Sequence, residues 1–312
     1  MNSPANFINQ ITVAICSYNS AHHLPILLDK LANQESSLPF EILLVDNNST
    51  DNTADVVKQF SETSNIPIRY VLETEQGIPF ARNRAIEECK NSRYFAFIDA
   101  DEIPEDRWLQ TAIDVLSDDS IDCVGGKITI YLPNRPAWLT DNLLPFYAEV
   151  NHSDKAFKIV DVSTPIWTSN IAYNNRIFQQ GLRFDTRYNR KGKGIGGGSD
   201  GIMFHYFVKH NYSLIYEPKM EILHLIPDER VRRRYFLKLH YIDGKKFGLY
   251  EAKPEGQKLF GIPRFMYLQL VKKIIHVANI AIIKRQPYMR DAMTVAYQIG
   301  LMKGIQLAGK ES

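Results

Sequence analysis

Three observations predict an α/β chain with a doubly wound, mostly parallel sheet. The short apolar runs Ile11–Cys16, Glu41–Val45 and Tyr94–Ile98 have the length and hydrophobicity of strands buried on both faces. Between them apolar residues recur at helical spacing, so the order reads β-α-β-α-β-α-β-α. The run Tyr94–Ile98 then ends in Asp99-Ala100-Asp101, two carboxylates at the end of a buried strand, where open α/β sheets bind ligands.

The elements follow in order. After the first strand, Ser17-Tyr18-Asn19-Ser20 forms a loop with N-cap character, and Leu24, Leu27, Leu28 and Leu31 mark a helix. The second strand runs into Asp46-Asn47-Asn48-Ser49-Thr50-Asp51, a cluster of turn and capping residues. A helix with Val56, Val57 and Phe60 inward and a third strand, Ile68–Leu72, come next. Gly77-Ile78-Pro79 opens a helix that carries Arg82, with Ala85, Ile86 and Cys89 facing in. Pro104 is expected to start the helix that holds Trp108, Leu109, Ile113 and Leu116.

From Asp122 the rhythm changes. Cys123–Leu132 reads as a longer strand, and the irregular, aromatic stretch Asn134–Lys158 reads as a flap or lid. Ile202–Val208 reads as a helix; Tyr212–Tyr216 and Met220–Leu225 read as two short strands. Beyond Pro227 the chain is helical and basic, with helices expected over Arg230–Gly248, Ile262–Ile283 and Met289–Leu307. The expected division is a catalytic domain over 1–226, with halves of about 1–121 and 122–226, and a helical extension over 227–312.

Bulk composition narrows the function classes. The chain of 312 residues is 45% hydrophobic and 23% charged, as in ordinary globular proteins. A net charge of +2 gives no global field that would call for nucleic acid as a partner. Three well-separated cysteines, Cys16, Cys89 and Cys123, lack metal spacing and fit a reducing cytoplasm as core thiols. The first ten residues lack the apolar core of a signal peptide, and no apolar run reaches the length of a membrane span. The expected location is cytoplasmic, in solution or peripheral at a membrane face.

Asp99 and Asp101 can converge on one point only if a cation neutralises them, and a hard divalent ion, Mn²⁺ or Mg²⁺, suits such a pair. In a plain turn the same two acids would be solvated. Gly192-Lys193-Gly194-Ile195-Gly196-Gly197 matches G-x-G-x-x-G literally, but no strand precedes it. A loop whose Arg187, Arg190, Lys191 and Lys193 close over phosphates or an anionic acceptor is the better reading.

Taken together, Ser17-Tyr18-Asn19, Val45-Asp46-Asn47-Asn48-Ser49-Thr50-Asp51, Gly77…Ala81-Arg82-Asn83 and Asp99-Ala100-Asp101 stand in the order and spacing of the family 2 glycosyltransferases. Ser169-Asn170-Ile171-Ala172-Tyr173, Gly181-Leu182-Arg183-Phe184-Asp185, Gly197-Gly198-Ser199-Asp200 and Tyr216-Glu217-Pro218…His224 also resemble that family, so the likeness covers roughly Ile11 to Arg234. It implies the GT-A fold and transfer of a sugar from a nucleotide-sugar, a UDP-sugar for preference, to a glycan or lipid-linked acceptor.

By the same resemblance Ser17, Tyr18, Asn19, Asp46, Asn47 and Arg82 would contact the donor, together with Asp99, Ala100 and Asp101. Asp99, Asp101 and His224 would hold the metal. Asp200 would be the general base of an inverting displacement. Trp167, Asn170, Arg190, Lys193 and Ser199 would line the acceptor or phosphate loop. The chain departs from the commoner family pattern at Asn47, where a second Asp is usual, and at Ser199, where an acid is usual. An amide donates as well as accepts, so thymidine and guanosine donors stay open beside uridine.

Two other readings are a pyrophosphorylase-like nucleotide-sugar enzyme and a non-catalytic glycan-binding module. The first lacks its glycine-rich basic loop after strand one; Asp99, Asp101 and Asp200 together argue against the second. Between Arg230 and Lys284 basic residues alternate with apolar ones. Such helices either pack on protein, including a second copy in a homodimer, or lie in a membrane interface.

Overall fold

The computed structural model describes residues 9–189 and 196–311. They form two units: one takes in 9–131, 148–189 and 199–225, the other 132–147, 196–198 and 226–311.

The first unit contains β1 (Asn9–Ser17), α1 (Leu24–Ala32), β2 (Phe40–Asp46), α2 (Thr53–Thr63), β3 (Ile68–Leu72), α3 (Ile78–Glu88) and β4 (Ser92–Asp99). β5 (Glu102–Pro104), α4 (Trp108–Leu116), β6 (Cys123–Tyr131), β7 (Phe157–Ile159), β8 (Asn170–Asn174), α5 (Ser199–Lys209) and β9 (Leu214–Leu225) complete it. The sheet order is β3-β2-β1-β4-β8-β6-β9-β5, with β7 also paired to β9. β3, β2, β1 and β4 run parallel. Residues of β1, β2 and β4 are buried on both faces, Ile11, Val13, Ala14 and Ile15 wholly so, because helices cover a parallel sheet on either side, whereas β3 at the edge leaves Tyr70 and Leu72 exposed. Beyond β4 the sheet turns antiparallel at β8, as a mixed sheet does when a second half is added to its edge.

Several expectations change. Pro104 ends β5 rather than starting a helix, since Glu102, Ile103 and Pro104 pair with His224, Leu223 and Ile222 of β9. β5 ends the sheet, and an edge strand tolerates a residue that cannot donate a ladder hydrogen bond. The two strands expected on either side of Pro218 are the single strand β9. A register shift between Gly126 and Ile128 of β6 absorbs the irregularity, and a Cβ on Gly126 would sit 1.7 Å from the Met220 carbonyl oxygen. The Ser17–Ser20 loop does not cap α1 with a side chain; His23 precedes that helix instead.

The second unit contains α6 (Arg233–Tyr250), the small hairpin β10 (Lys258–Leu259) and β11 (Ile262–Pro263), α7 (Arg264–Ala278) and α8 (Met289–Glu311). Much of the expected lid belongs to its core. A 3-10 turn, Asp141–Tyr147, carries Phe146 and Tyr147, whose rings pack edge-on against fully buried Phe236 of α6, as does Trp138. Aromatic residues in an irregular stretch here fill a core. α6 and α8 meet through glycines: a Cβ on Gly244 would lie 2.1 Å from the Tyr297 carbonyl oxygen, and one on Gly300 would lie 2.0 Å from that of Tyr241. The backbones therefore touch without side chains between them.

A further correction concerns the apolar run. α7 continues through a π-helical turn, Asn279–Lys284, so that Arg264–Lys284 is a 21-residue helix long and apolar enough to cross a membrane. Only 6% of its most apolar window is buried.

Candidate functional site

Parallel registry brings the first site residues to one sheet edge. Ser17 of β1 stands beside Asp46 of β2, and Cys16 beside Asp99 of β4. The loops that follow these strands then bind one another. Asn19, at φ 52°, donates its N–H to Ser49 Oγ at 2.8 Å and accepts from the Thr50 N–H at 2.7 Å. Asn and Asp tolerate this left-handed backbone better than most residues. Tyr18, half-buried, lies between Ser17 and Asn19 in sequence.

Asp46 is buried, and its oxygens accept from the Ser49 N–H at 2.9 Å and the Tyr70 hydroxyl at 2.6 Å. Burial, and then Asp46, pushes the Tyr70 phenol up to about 12. Asn47 is fully engaged. Its Nδ2 donates to the carbonyls of Glu75 at 2.8 Å and Glu73 at 3.3 Å, and its Oδ1 accepts from the Gly77 N–H at 2.6 Å. An aspartate could not make the two donations, which gives a physical reason for the amide at this position. Gly77 has φ 146°, a backbone that favours glycine, and it opens α3. Ser17 Oγ is buried without a hydrogen-bond partner.

α3 delivers Arg82 to the centre of a charge cluster. The guanidinium is buried and pairs with Asp200 through Nη1 and with Asp99 through Nη2, the latter at 3.7 Å. Asn83 fixes what lies beneath it. Its amide donates to the Phe184 carbonyl at 3.0 Å and accepts from the Phe184 N–H at 2.7 Å, and the Phe184 ring sits 5.6 Å from Arg82 Cζ. Burial works against the charge on Arg82, but Asp200 and Asp99 outweigh it and hold the guanidinium above its usual range. Burial also raises the Asp99 carboxyl, with Arg82 opposing and Asp101 and Asp200 adding to the rise. The Asp99 side chain is 38% exposed, so water screens part of that effect. Burial is the main reason that the Cys16 thiol is pushed up to about 12.

Asp101 lies on the other side of the strand end, next to small, buried Ala100. Its carbonyl accepts from the Leu225 N–H at 3.0 Å, and its Oδ2 is 3.6 Å from His224 Nε2. Glu102, which the sequence reading passed over, sits beneath both acids. It is fully buried, its Oε2 accepts from the Asp99 N–H at 3.0 Å, and its Oε1 has no partner. Burial, and then Asp99 and Asp101, push its carboxyl well above the usual range. The available signal was its place directly after the acid pair.

The remaining candidates divide. Ser199 is buried at the start of α5, directly before Asp200 in the first turn. Asn170 turns inward: its Oδ1 accepts from Trp108 Nε1 at 2.8 Å, and its Nδ2 donates to the Lys127 and Met220 carbonyls at 2.9 Å. With no exposed surface it ties β6, β8 and β9 together, so it does not line an open loop. Trp167, half-buried, packs against the core, and its carbonyl accepts from the Asn170 N–H. Arg190 and Lys193 lie outside the described residues.

The donor set of Asp99, Asp101 and His224, two carboxylates and an imidazole, suits a hard divalent cation. Among the described residues no three His, Cys, Asp or Glu side chains are grouped to hold a metal on their own. Any cation there would need further ligands from a substrate.

The chain is similar to known proteins. A family model described as Glycosyl transferase family 2 matches residues 12–182, more than half of the chain. Glycosyltransferase AglE of Haloferax volcanii is 33% identical over 126 residues, 40% of this chain and 41% of that protein. A chondroitin synthase of Escherichia coli is 30% identical over 123 residues, 38% of this chain and 18% of that one. The matches thus span less than half the length of these curated relatives. Among solved structures, the mannosyltransferase PcManGT from Pyrobaculum calidifontis, in complex with GDP-Man and Mn²⁺, superposes with TM-score 0.61 at 17% identity, over 94% of this chain and 86% of that one. TarS 1–349 of S. aureus, in complex with UDP, gives 0.54 at 15%, over 97% and 91%. At such identities the two structures show the fold alone, which is GT-A.

Proposed function

The chain belongs to glycosyl transferase family 2, and on that premise we propose that it moves a sugar from a nucleotide-sugar to a hydroxyl of a glycan or lipid-linked acceptor, with inversion. The observation that carries this is Arg82, a buried cation that joins an acid at the end of β4 to an acid at the start of α5. One acid faces the leaving group and the other the attacking hydroxyl, and the guanidinium sets their separation.

Asp200 is the proposed base. It stands in the first turn of α5, where the helix dipole favours a carboxylate, and its side chain is 30% exposed. It takes the proton of the acceptor hydroxyl as that oxygen bonds to the anomeric carbon. The bond from that carbon to the nucleotide diphosphate breaks on the opposite face. A single displacement inverts the anomeric centre. Arg82 acts through Asp200 as a positioning residue.

Asp99 and Asp101, with His224, would hold Mn²⁺ or Mg²⁺ together with the donor phosphates, since such ions often take only one or two protein carboxylates. Bound there, the cation stabilises negative charge on the leaving diphosphate. Ser17 and Asp46 would face the nucleoside. Because Asn47 already uses both ends of its amide on Glu73, Glu75 and Gly77, base choice rests on other groups. A UDP-sugar is the favoured donor, in a cytoplasmic setting that keeps the three thiols reduced.

The test is nucleotide release from UDP-, TDP- and GDP-sugars, each with and without Mn²⁺. Release from one nucleotide class, dependent on Mn²⁺, is the expected result. No release from any donor by folded protein would remove the reading.

A further inference from the structure

Apolar side chains point outward along Arg264–Lys284. Leu268 is 66% exposed, Ile275 63% and Ile283 76%, with Phe265, Val271 and Ile274 on the same outer side. Contacts to the rest of the unit are made on the other side: Met266 is buried with Ile262, Met302 and Ile305, and Lys273 donates to Gln298 of α8 at 3.1 Å. The hairpin before α7 adds Phe260, 77% exposed. The charge around this surface is mostly positive, although Asp291 lies 3.4 Å from His276 of the helix. From Gly256 to Arg290 the chain holds seven Lys and Arg residues and neither Asp nor Glu.

We propose that the outer face of Arg264–Lys284, with the tip of the β10–β11 hairpin, docks in the plane of an anionic lipid bilayer. Exposed apolar surface alone would fit many partners. A rim in which cations far outnumber acids selects a surface that is both apolar and negative, which an anionic bilayer interface is. The helix lies in the interface rather than across it. Its N-terminal turns already pack on protein through Met266, Tyr267 and Leu270, and Lys272 and Lys273 fall near its middle, where a spanning helix would carry them into hydrocarbon at high cost. In the interface, Lys272, Lys284 and Arg285 reach the headgroups while Phe265, Leu268 and Ile275 enter the acyl boundary. This surface stands independently of the proposed donor and mechanism.

The test is flotation of the full chain with vesicles of phosphatidylcholine alone or mixed with phosphatidylglycerol, at low and high salt. The expected result is flotation with the phosphatidylglycerol vesicles that weakens at high salt. Leu268→Glu/Ile275→Glu should abolish it and Lys284→Glu/Arg285→Glu should reduce it, both with unchanged circular dichroism. Three results would overturn the proposal. One is no flotation with either vesicle by folded protein. Another is attachment that resists salt and yields only to detergent, which marks a spanning helix. The third is a concentration-dependent dimer that Leu268→Glu/Ile275→Glu dissociates, without vesicle binding, which assigns the face to a second copy. Flotation needs no turnover, so loss of the donor reading would leave it unaffected.

Discussion

The sheet unit buries charge, and the helical unit exposes apolar surface. In the first, Arg82, Asp46 and Glu102 lie under the edge where β1, β2 and β4 end. In the second, Leu268, Ile275 and Ile283 face outward while α6 and α8 pack glycine against backbone. Each departs from the usual distribution in a different direction. A buried charge persists when it is paired, as Arg82 is with Asp99 and Asp200, whereas the Glu102 carboxyl is pushed toward its neutral form. Exposed apolar residues persist where something covers them. A departure from the burial rule marks work to be done, and its sign indicates the kind of work.

The comparison can be sharpened by disturbing each unit. Asp200→Asn should lower turnover by about 10²- to 10⁴-fold, the scale of a positioned general base, with donor affinity kept. Single-turnover kinetics and a donor titration separate the two. Arg82→Met leaves Asp99 and Asp200 without their cation. Removing one partner of a buried pair should cost about 3 kcal/mol, the low end of the usual range because both acids are partly exposed. Urea melts measure it, and kcat should fall more than KM rises.

The helical unit has its own buried acid. Burial raises the Asp243 carboxyl from 3.8 to about 6, with Lys246 opposing. A raised carboxyl binds its proton more tightly folded than unfolded, so stability is lost as pH rises from about 4 to about 6. At roughly 1.4 kcal/mol per pH unit the loss approaches about 3 kcal/mol, and partial exposure brings it nearer about 2. Asp243→Asn should therefore stabilise the protein at pH 7 and do little at pH 4, as melts at the two pH values would show. An equal gain at both pH values would remove the ionisation account. The smallest effect is Gly300→Ala. Crowding against the Tyr241 carbonyl costs about 1–3 kcal/mol, and better helix propensity returns about 1, for a net loss of about 1 kcal/mol. A stabilised variant would mean that the helices can move apart freely.

The sheet was readable because parallel strands buried on both faces are continuous apolar runs, and β1, β2 and β4 showed that signal. The position of Asp99 and Asp101 at the end of β4 was readable for the same reason, since acids stop such a run. What stayed hidden depends on distant partners. Arg82 and Asp200 are 118 residues apart, and nothing local announces their pair. Glu102 follows the acid pair but is buried only because β5 adds to β9. Asn170 looked like a loop residue and proved to be a knot between strands. The aromatic residues Trp138, Phe146 and Tyr147 looked like a lid because their partner, Phe236, lies some ninety residues further on. Gly244 with Gly248 and Gly300 with Gly304 did carry a sign, a spacing of four that puts both glycines on one helix face.

The most direct test of the charge cluster as the transfer site is calorimetric titration of the nucleotide chosen by the donor panel. It is run with and without Mn²⁺ on the natural chain and on Asp101→Ala. The natural chain should bind more tightly with Mn²⁺, and the variant, with unchanged circular dichroism, should lose that Mn²⁺-dependent gain. Mn²⁺-dependent binding of equal strength in both proteins would contradict the placement of donor and cation at the end of β4.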